Sequence, residues 1–406
     1  MYLWSTNLSI DKLLNLNKLA ANGTQTTILQ IVRDNSPISR SGIVSLTGQP
    51  HAAISRSTAI LLSKNILVED GGTDTKGPRR KRGLRLNPDY GYVIGIEYGP
   101  DGIEAVAMNT AYQPIAKSTK TIDLANRDQK EILELICATV KSIQKDIKMP
   151  AAQCLGVAAV DPGLIDDDAG ISALATTMEH WNNVPVVNTL EEQLKLPVLL
   201  LGTSTAKILA VDRLELNNSI ANLLYIEYGK GIACGMKLNN TYISGQGHLA
   251  GELGHLQISN SQAVCRCGGV GCLEAMASLT AIAKTAAAGI ESNNSSLSQK
   301  HELTGMDVLR AAAQHDRLAS RIVDEALERL GVAVAGIVNI LSPKMVLFDS
   351  VINEAGSEAV AVLMRSLQKT VLASHRRQLE IRISSLTSHI GALGGAAAIL
   401  DACLTA

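Results

Sequence analysis

At 406 residues the chain exceeds the ~100–200 residues of one ordinary domain, and two or three compact units are expected. Hydrophobic residues make up 46% but aromatic ones only 3%, so the interior should be aliphatic, and the absence of any ~18-residue apolar run or of a leader pattern after Met1 points to a cytoplasmic protein. The net charge of -1 hides an asymmetry: residues 1–90 hold 12 Lys+Arg against 6 Asp+Glu, while the remainder holds 25 against 32, the distribution of a basic nucleic-acid-contacting head on an acidic body.

The head opens with helical spacing from Thr24 to Asn35, its apolar face made by Ile28, Leu29, Ile31 and Val32. Pro37 breaks the chain, Ser39 can cap a second helix reaching Leu46, Thr47-Gly48-Gln49 forms a turn, and Pro50 suits the first position of a third helix ending near Asn65. Two helices joined by a Gly-containing turn form a helix-turn-helix, in which the early residues of the second helix meet base edges. Here those are His51, Ser55, Arg56 and Ser57, with Ile54, Leu61 and Leu62 packing inward. Ile66-Leu67-Val68 and Leu84-Arg85-Leu86 read as two short strands of a wing, whose loop carries Lys76, Arg79, Arg80, Lys81 and Arg82 for phosphate or minor-groove contact.

In the body, Ile96-Glu97-Tyr98-Gly99 is echoed 130 positions later by Ile226-Glu227-Tyr228-Gly229. Each copy precedes a Gly-containing turn and alternating apolar residues, so a repeated strand-turn-strand unit and two lobes of similar α/β fold are expected. Helical patterns over Gln129–Ile147 and Leu318–Leu341 alternate with aliphatic strands at Cys154–Val160, Val198–Leu201 and Met345–Phe348. A cleft between such lobes is the usual place for a small ligand.

Gly251-Glu252-Leu253-Gly254-His255 is followed by a loop reading Cys265-Arg266-Cys267-Gly268-Gly269-Val270-Gly271-Cys272-Leu273-Glu274. Three thiolates and one imidazole form a closed ligand set suited to tetrahedral Zn2+ in a structural role, with His255, Cys265, Cys267 and Cys272 as ligands. The other cysteines, Cys137, Cys154, Cys234 and Cys403, stand in apolar contexts and read as reduced, buried thiols.

The H-x9-C-x-C-G-x-x-G-C-L-E element resembles the ROK family of sugar kinases and sugar-responsive repressors. Pro162-Gly163, the stretch from Trp181 to Pro197, Ile337-Val338-Asn339-Ile340-Leu341-Ser342-Pro343 and the small-residue run Gly391–Ala398 match as well. The resemblance implies a winged helix-turn-helix domain at 1–88 and an actin-like/ribonuclease-H-like sugar-kinase fold at 89–406, with lobes of about 89–210 and 211–406 and a zinc loop at 255–272. Family kinases end a strand in E-N-D-A-N-A, whose Asp takes the proton of the attacking sugar hydroxyl; here the stretch is Leu201-Gly202-Thr203-Ser204-Thr205-Ala206. Thr203 offers no proton-accepting anion near neutral pH. The first phosphate loop reads Glu97-Tyr98-Gly99-Pro100-Asp101, with Asp101 where phosphate oxygens would lie; the second reads Gly229-Lys230-Gly231-Ile232-Ala233-Cys234-Gly235, and a nucleotide-side Gly-Gly becomes Asp349-Ser350. No kinase activity is therefore expected, and no catalytic residue is assigned.

By the same resemblance, Glu252, His255 and Glu274 would hydrogen-bond sugar hydroxyls, His255 giving one ring nitrogen to zinc and the other to the ligand. The alternative role for the two glutamates is to hold the zinc loop. The expected protein is a sugar-relieved repressor of carbohydrate-utilisation genes, acting on an operator in double-stranded DNA as a homodimer or homotetramer. Two alternatives remain at this point: a sugar kinase with an appended DNA-binding domain, and a regulator answering to a protein partner.

Overall fold

The computed structural model describes residues 18–70, 83–259, 261–290, 295–299 and 302–405. The described residues form two compact units: one runs from residue 18 to Asn218 and resumes at His389, the other is Ser219–Ser388.

The first unit begins with three helices, α1 (Gly23–Asn35), α2 (Arg40–Thr47) and α3 (His51–Ser63), followed by strands β1 (Leu67–Asp70) and β2 (Gly83–Leu86). Asn22 and Ser39 cap α1 and α2 by accepting from the Gln25 and Gly42 amides, and Gly48 ends α2 in the left-handed conformation at φ 65°. Pro50 has ψ 135° and precedes α3 rather than opening it, because an extended ψ keeps its residue outside the helical path. Ile28, Leu29, Val32, Ile43, Ile54 and Leu61 are fully buried and make the small core that the helical spacing requires. β1 and β2 pair antiparallel, Leu67 opposite Leu86, and residues 71–82 lie outside the described residues.

Next comes a meander of β3 (Tyr92–Gly99), β4 (Gly102–Asn109) and β5 (Pro114–Thr121), then α4 (Gln129–Asp146) and β6 (Cys154–Asp161). A small antiparallel sheet of β7 (Leu164–Asp166), β8 (Ile171–Leu174) and β9 (Asn182–Val184) leads to α5 (Val186–Leu194), β10 (Val198–Gly202) and α6 (Thr203–Ala210). The main sheet has the order β10-β6-β3-β4-β5, with β6 parallel to both β3 and β10.

In the second unit β11 (Leu223–Tyr228), β12 (Ile232–Leu238) and β13 (Thr241–Tyr242) form the corresponding meander, followed by helices α7 (Leu273–Ala277), α8 (Leu279–Gly289), α9 (Gly305–Ala313) and α10 (Arg317–Leu341). Strand β14 (Met345–Phe348), helices α11 (Gly356–Thr370) and α12 (Ala373–Arg376) and strand β15 (Glu380–Ile383) complete it. Its sheet runs β13-β12-β11-β14-β15, again three antiparallel strands and then two parallel additions on the far side of the first. The Ile-Glu-Tyr-Gly echo thus marks the same strand of two sheets with the same order, β3 and β11.

The chain returns to the first unit with α13 (Ile390–Cys403), whose small residues have a packing reason. A Cβ on Gly394 would fall 1.7 Å from the Ala206 carbonyl oxygen, and one on Gly95 would fall 1.9 Å from that of Ala392, so α13 seats against α6 and β3 only where side chains are missing. Both sheets are backed by aliphatic cores, Ile94, Ile96, Ile136 and Val140 in the first unit, Leu224, Ile226, Leu330 and Val334 in the second. Each such burial contributes about 1.5–3 kcal/mol.

Candidate functional site

In the second unit the chain turns through a short 3-10 segment at Leu253–His255 and presents His255 beside the cysteine loop. His255 Nδ1 is 3.6 Å from Cys265 Sγ, Cys267 Sγ is 3.8 Å from Cys272 Sγ, and all four ligand atoms lie within 4.8 Å of one another. A tetrahedral Zn2+ with bonds of roughly 2.0–2.3 Å has ligand-to-ligand edges of about 3.5–3.8 Å, so the donor set fits the ion. The loop is shaped by a tight turn in which the Gly268 amide donates to the Cys265 carbonyl (3.0 Å) and the Cys265 amide to that of Gly269 (2.8 Å). Gly268 and Gly271 hold φ of 87° and 72°, which side-chain-bearing residues rarely adopt. Burial raises the Cys272 thiol above its ordinary value, with the neighbouring thiols adding to the effect.

The other imidazole nitrogen, His255 Nε2, faces Glu252, whose Oε2 is 3.6 Å away. Burial raises the Glu252 carboxyl above its ordinary value and nearby Glu274 raises it further, while His255 and Arg266 pull it down. Glu274 lies in the first turn of α7 and is more constrained than its sequence position suggests. Its side chain is only 8% exposed, it pairs with Arg266 Nε at 2.9 Å, and its second oxygen accepts from Arg266 Nη2 (3.3 Å) and the Ile232 amide (3.2 Å). Gly231 packs against this pair: a Cβ there would lie 2.9 Å from Glu274 Oε2 and 3.2 Å from Arg266 Nη2. The structure therefore brings Glu252, His255 and Glu274 into one neighbourhood with Cys265, Cys267 and Cys272 and adds Arg266, which the sequence reading passed over. Its signal was a cation between two of the clustered cysteines, eight residues before a carboxylate.

The positions where departures from kinase signatures were expected make the following contacts. Thr203 begins α6 and donates its hydroxyl to the Asp161 carbonyl (3.0 Å). Glu97 lies 4.0 Å from Lys207 Nζ and beside the first turn of α13, where a Cβ on Gly391 would come 2.3 Å from its Oε2. Asp101 is exposed in the β3–β4 turn. Asp349 caps the segment after β14 by accepting from the Val351 amide (3.0 Å) and takes the Tyr225 hydroxyl at 2.9 Å.

A further buried carboxylate, Asp161, accepts from the Tyr98 hydroxyl (2.7 Å), the Trp181 indole (2.9 Å) and the Gly163 amide (2.7 Å). Burial raises its carboxyl, against the pull of these donors. Trp181 is fully buried and stands edge-on to Tyr98, with ring centroids 5.3 Å apart.

In the head, His51 and Arg56 are exposed on α3, and Ser55 is half-buried with its hydroxyl 3.2 Å from His51 Nδ1. Ser57 is half-buried at the edge of the inward row Ile54, Thr58 and Leu61. The expected wing cations Lys76, Arg79, Arg80, Lys81 and Arg82 lie outside the described residues.

Residues 93–402 match the ROK family. The chain belongs to that family. Among ROK relatives, a xylose repressor of Caldicellulosiruptor bescii is 29% identical over 92% of this chain and 94% of its own length. A glucokinase of Halalkalibacterium halodurans is 31% identical, over 75% of this chain and 93% of its own. The crystal structure of a ROK family transcriptional regulator, a homologue of the Escherichia coli MLC protein, superposes with a TM-score of 0.80 at 24% identity, over 94% of this chain and 96% of that one. Among the described residues no helix is long and apolar enough to cross a membrane.

Proposed function

We propose that this ROK protein is a DNA-binding transcriptional regulator, a repressor of carbohydrate-utilisation genes that a sugar bound in its kinase-like body relieves. The carrying observation is the extent of the two kinds of likeness. The glucokinase is nearly spent, at 93% of its length, on 75% of this chain, whereas the xylose repressor covers 92% of it. The family match starts at residue 93, so the α1–α3 head and its two-stranded ribbon precede the part shared with kinases. On this reading residues 1–88 are a winged helix-turn-helix domain, with His51, Ser55, Arg56 and Ser57 at the bases and the 76–82 cations on the backbone.

The body, residues 89–406, holds structural Zn2+ on His255, Cys265, Cys267 and Cys272. The ion fixes the imidazole through Nδ1, which leaves Nε2 and Glu252 to meet a sugar hydroxyl; Glu274 lends one oxygen while Arg266 anchors it. Without a carboxylate at Thr203 no group on that stretch accepts the proton that phosphoryl transfer must remove. Two copies present two heads to a palindromic operator in the cytoplasm, and the sugar favours an arrangement of the body that binds the operator less well. That coupling needs ~1–3 kcal/mol of differential affinity.

The test is binding of the purified protein to promoter DNA upstream of its own gene and of neighbouring sugar genes, at fixed salt, with and without a panel of neutral sugars. Specific binding released by one sugar is the expected result. Absence of specific binding would overturn the reading, binding indifferent to every sugar would move control to a protein partner, and sugar-dependent ATP turnover would favour a kinase with an added head.

A further inference from the structure

Near the end of α13, Asp401 is a fully buried carboxylate that the sequence reading left unassigned. Its Oδ1 accepts from Arg33 Nη1 at 2.6 Å and from the Tyr112 hydroxyl, and its Oδ2 accepts from Arg213 Nε at 2.8 Å. Arg33 lies in the last turn of α1, in the head, while Tyr112 stands in the β4–β5 turn and Arg213 in the turn continuing α6, both in the body. The guanidinium of Arg33 also holds the Asp34 carboxylate at 2.7 Å, and both arginine side chains are less than a tenth exposed. Burial works against the Asp401 charge, yet the two arginines and Tyr112 hold its carboxyl below the ordinary value, so the group is ionised at neutral pH.

A second tie runs alongside, from the Leu19 amide to the Cys403 carbonyl at 2.8 Å. The covalent connection between head and body, from β2 to β3, is only residues 87–91 long. Next to the clasp lies a cavity of about 340 Å3 lined by Arg33, Asp34, Arg85, Tyr112, Arg213 and Asn217 among others. Beside that cavity, directional bonds to Asp401, with a longer pairing of Arg213 Nη1 to Asp34 at 4.0 Å, hold the last turn of α1 to the body. Such bonds impose a single geometry, because a head rotated away would strand buried charges.

We infer that Asp401 is a positioning residue for two-headed operator binding: by clasping Arg33 to the body it sets the head at the one angle at which both recognition helices of a dimer reach their half-sites. This rests on the DNA-binding reading above. It also places the clasp where an effector could act, since any rearrangement that draws Arg213 or Tyr112 aside alters the head without touching the DNA-contacting side chains.

The test uses the full-length protein and two duplexes. One carries the palindromic site that wild-type protein protects upstream of its own gene; the other is the same duplex with one half scrambled. Wild type should prefer the full site. In Arg33→Gln, which leaves the Arg213–Asp401 pair intact, half-site affinity should stay within about twofold while full-site affinity falls roughly tenfold, toward the low end of site-to-site couplings. Duplexes with one or two base pairs inserted between the halves should be penalised less by the variant than by wild type. Asp401→Asn should behave alike if it folds, and Arg33→Gln decides the matter if it does not. An unchanged full-site preference and spacing penalty would overturn the proposal, as would parallel loss on both duplexes, the mark of a merely damaged head. A wild-type protein without preference for the full site would instead bring down the two-headed reading itself.

Discussion

The Arg266 guanidinium meets both oxygens of the Glu274 carboxylate, Nε to Oε1 at 2.9 Å and Nη2 to Oε2 at 3.3 Å. Because Arg266 sits between Cys265 and Cys267, this ion pair ties the cysteine loop to the first turn of α7 in addition to the chain connection at Cys272. The Ile232 amide, at the start of β12, donates to the same carboxylate, so the turn between β11 and β12 is tied in as well. The cysteine loop, Glu274 and the β11–β12 turn thus form one connected polar structure.

Arg266→Ala should therefore destabilise the protein by about 1–2 kcal/mol in urea unfolding, the cost of leaving a mostly buried carboxylate short of its cation. The cost is held down because Arg266 itself is 43% exposed and water can reach the gap. Arg266→Lys should recover only part of it, since an ammonium cannot engage both oxygens as a fork does. A variant as stable as wild type would show that Glu274 is held by the Ile232 amide alone.

Cys272→Ser tests the metal centre directly. Wild type should carry about one zinc per chain by elemental analysis, and the variant much less, because a neutral hydroxyl replaces a thiolate in a closed four-ligand set. With a loss of ~2 kcal/mol and ~2–4 °C of Tm per kcal/mol for units of this size, the melting temperature should fall by about 4–8 °C. The same treatment of Cys154, a buried thiol that is no part of the cluster, should leave zinc content unchanged. Wild-type zinc content in Cys272→Ser would refute the ligand assignment.

What could be read before the structure was known follows from sequence distance. The four clustered donors fall within eighteen positions, and thiol chemistry leaves few uses for C-x-C-x4-C beside a His, so the cluster was visible. Ile96–Gly99 and Ile226–Gly229 announced two related sheets because a strand and its turn are local features. The strand order, with β14 arriving beside β11 from more than a hundred residues away, has no local signature. Arg33 and Asp401 are 368 positions apart, and neither belongs to a periodic pattern that would tie one to the other. Glu274 was seen as a ligand-side carboxylate, but its partner is specified only once the loop closes.

Asp161 makes a sharper case for a side chain whose role is architectural. Asp161→Ala would leave the Tyr98 hydroxyl, the Trp181 indole and the Gly163 amide without their acceptor in a buried place. At about 1–3 kcal/mol for each orphaned donor, and some relaxation, a loss of roughly 3 kcal/mol is expected in urea unfolding. Trp181 emission should shift to the red as water enters; Asp161→Asn, which keeps one acceptor oxygen, should lose less. An unshifted spectrum with unchanged stability would mean that the three donors find other partners.

The pH dependence expected of Asp316 follows from its place as the cap of α10. Its Oδ1 accepts from the Leu318 and Ala319 amides at 3.1 and 3.0 Å, and its Oδ2 from the Ser296 amide and hydroxyl at 2.8 and 2.9 Å. Partial burial opposes its charge, but these donors prevail and hold the carboxyl at about 2, below its ordinary 3.8. A folded value below the unfolded one means that the charged cap stabilises the fold fully above about pH 4, and that this contribution is lost as pH falls from about 4 toward about 2. After allowance for solvent screening the contribution should be about 1 kcal/mol. Asp316→Asn keeps a capping oxygen but carries no charge, so wild type should exceed it by that amount near neutral pH, with the gap closing below pH 4. Comparing the two proteins at each pH cancels any acid-sensitive effect that both share. A gap that stays constant down to the lowest pH at which both remain folded would assign the cap's contribution to hydrogen bonding and not to its charge.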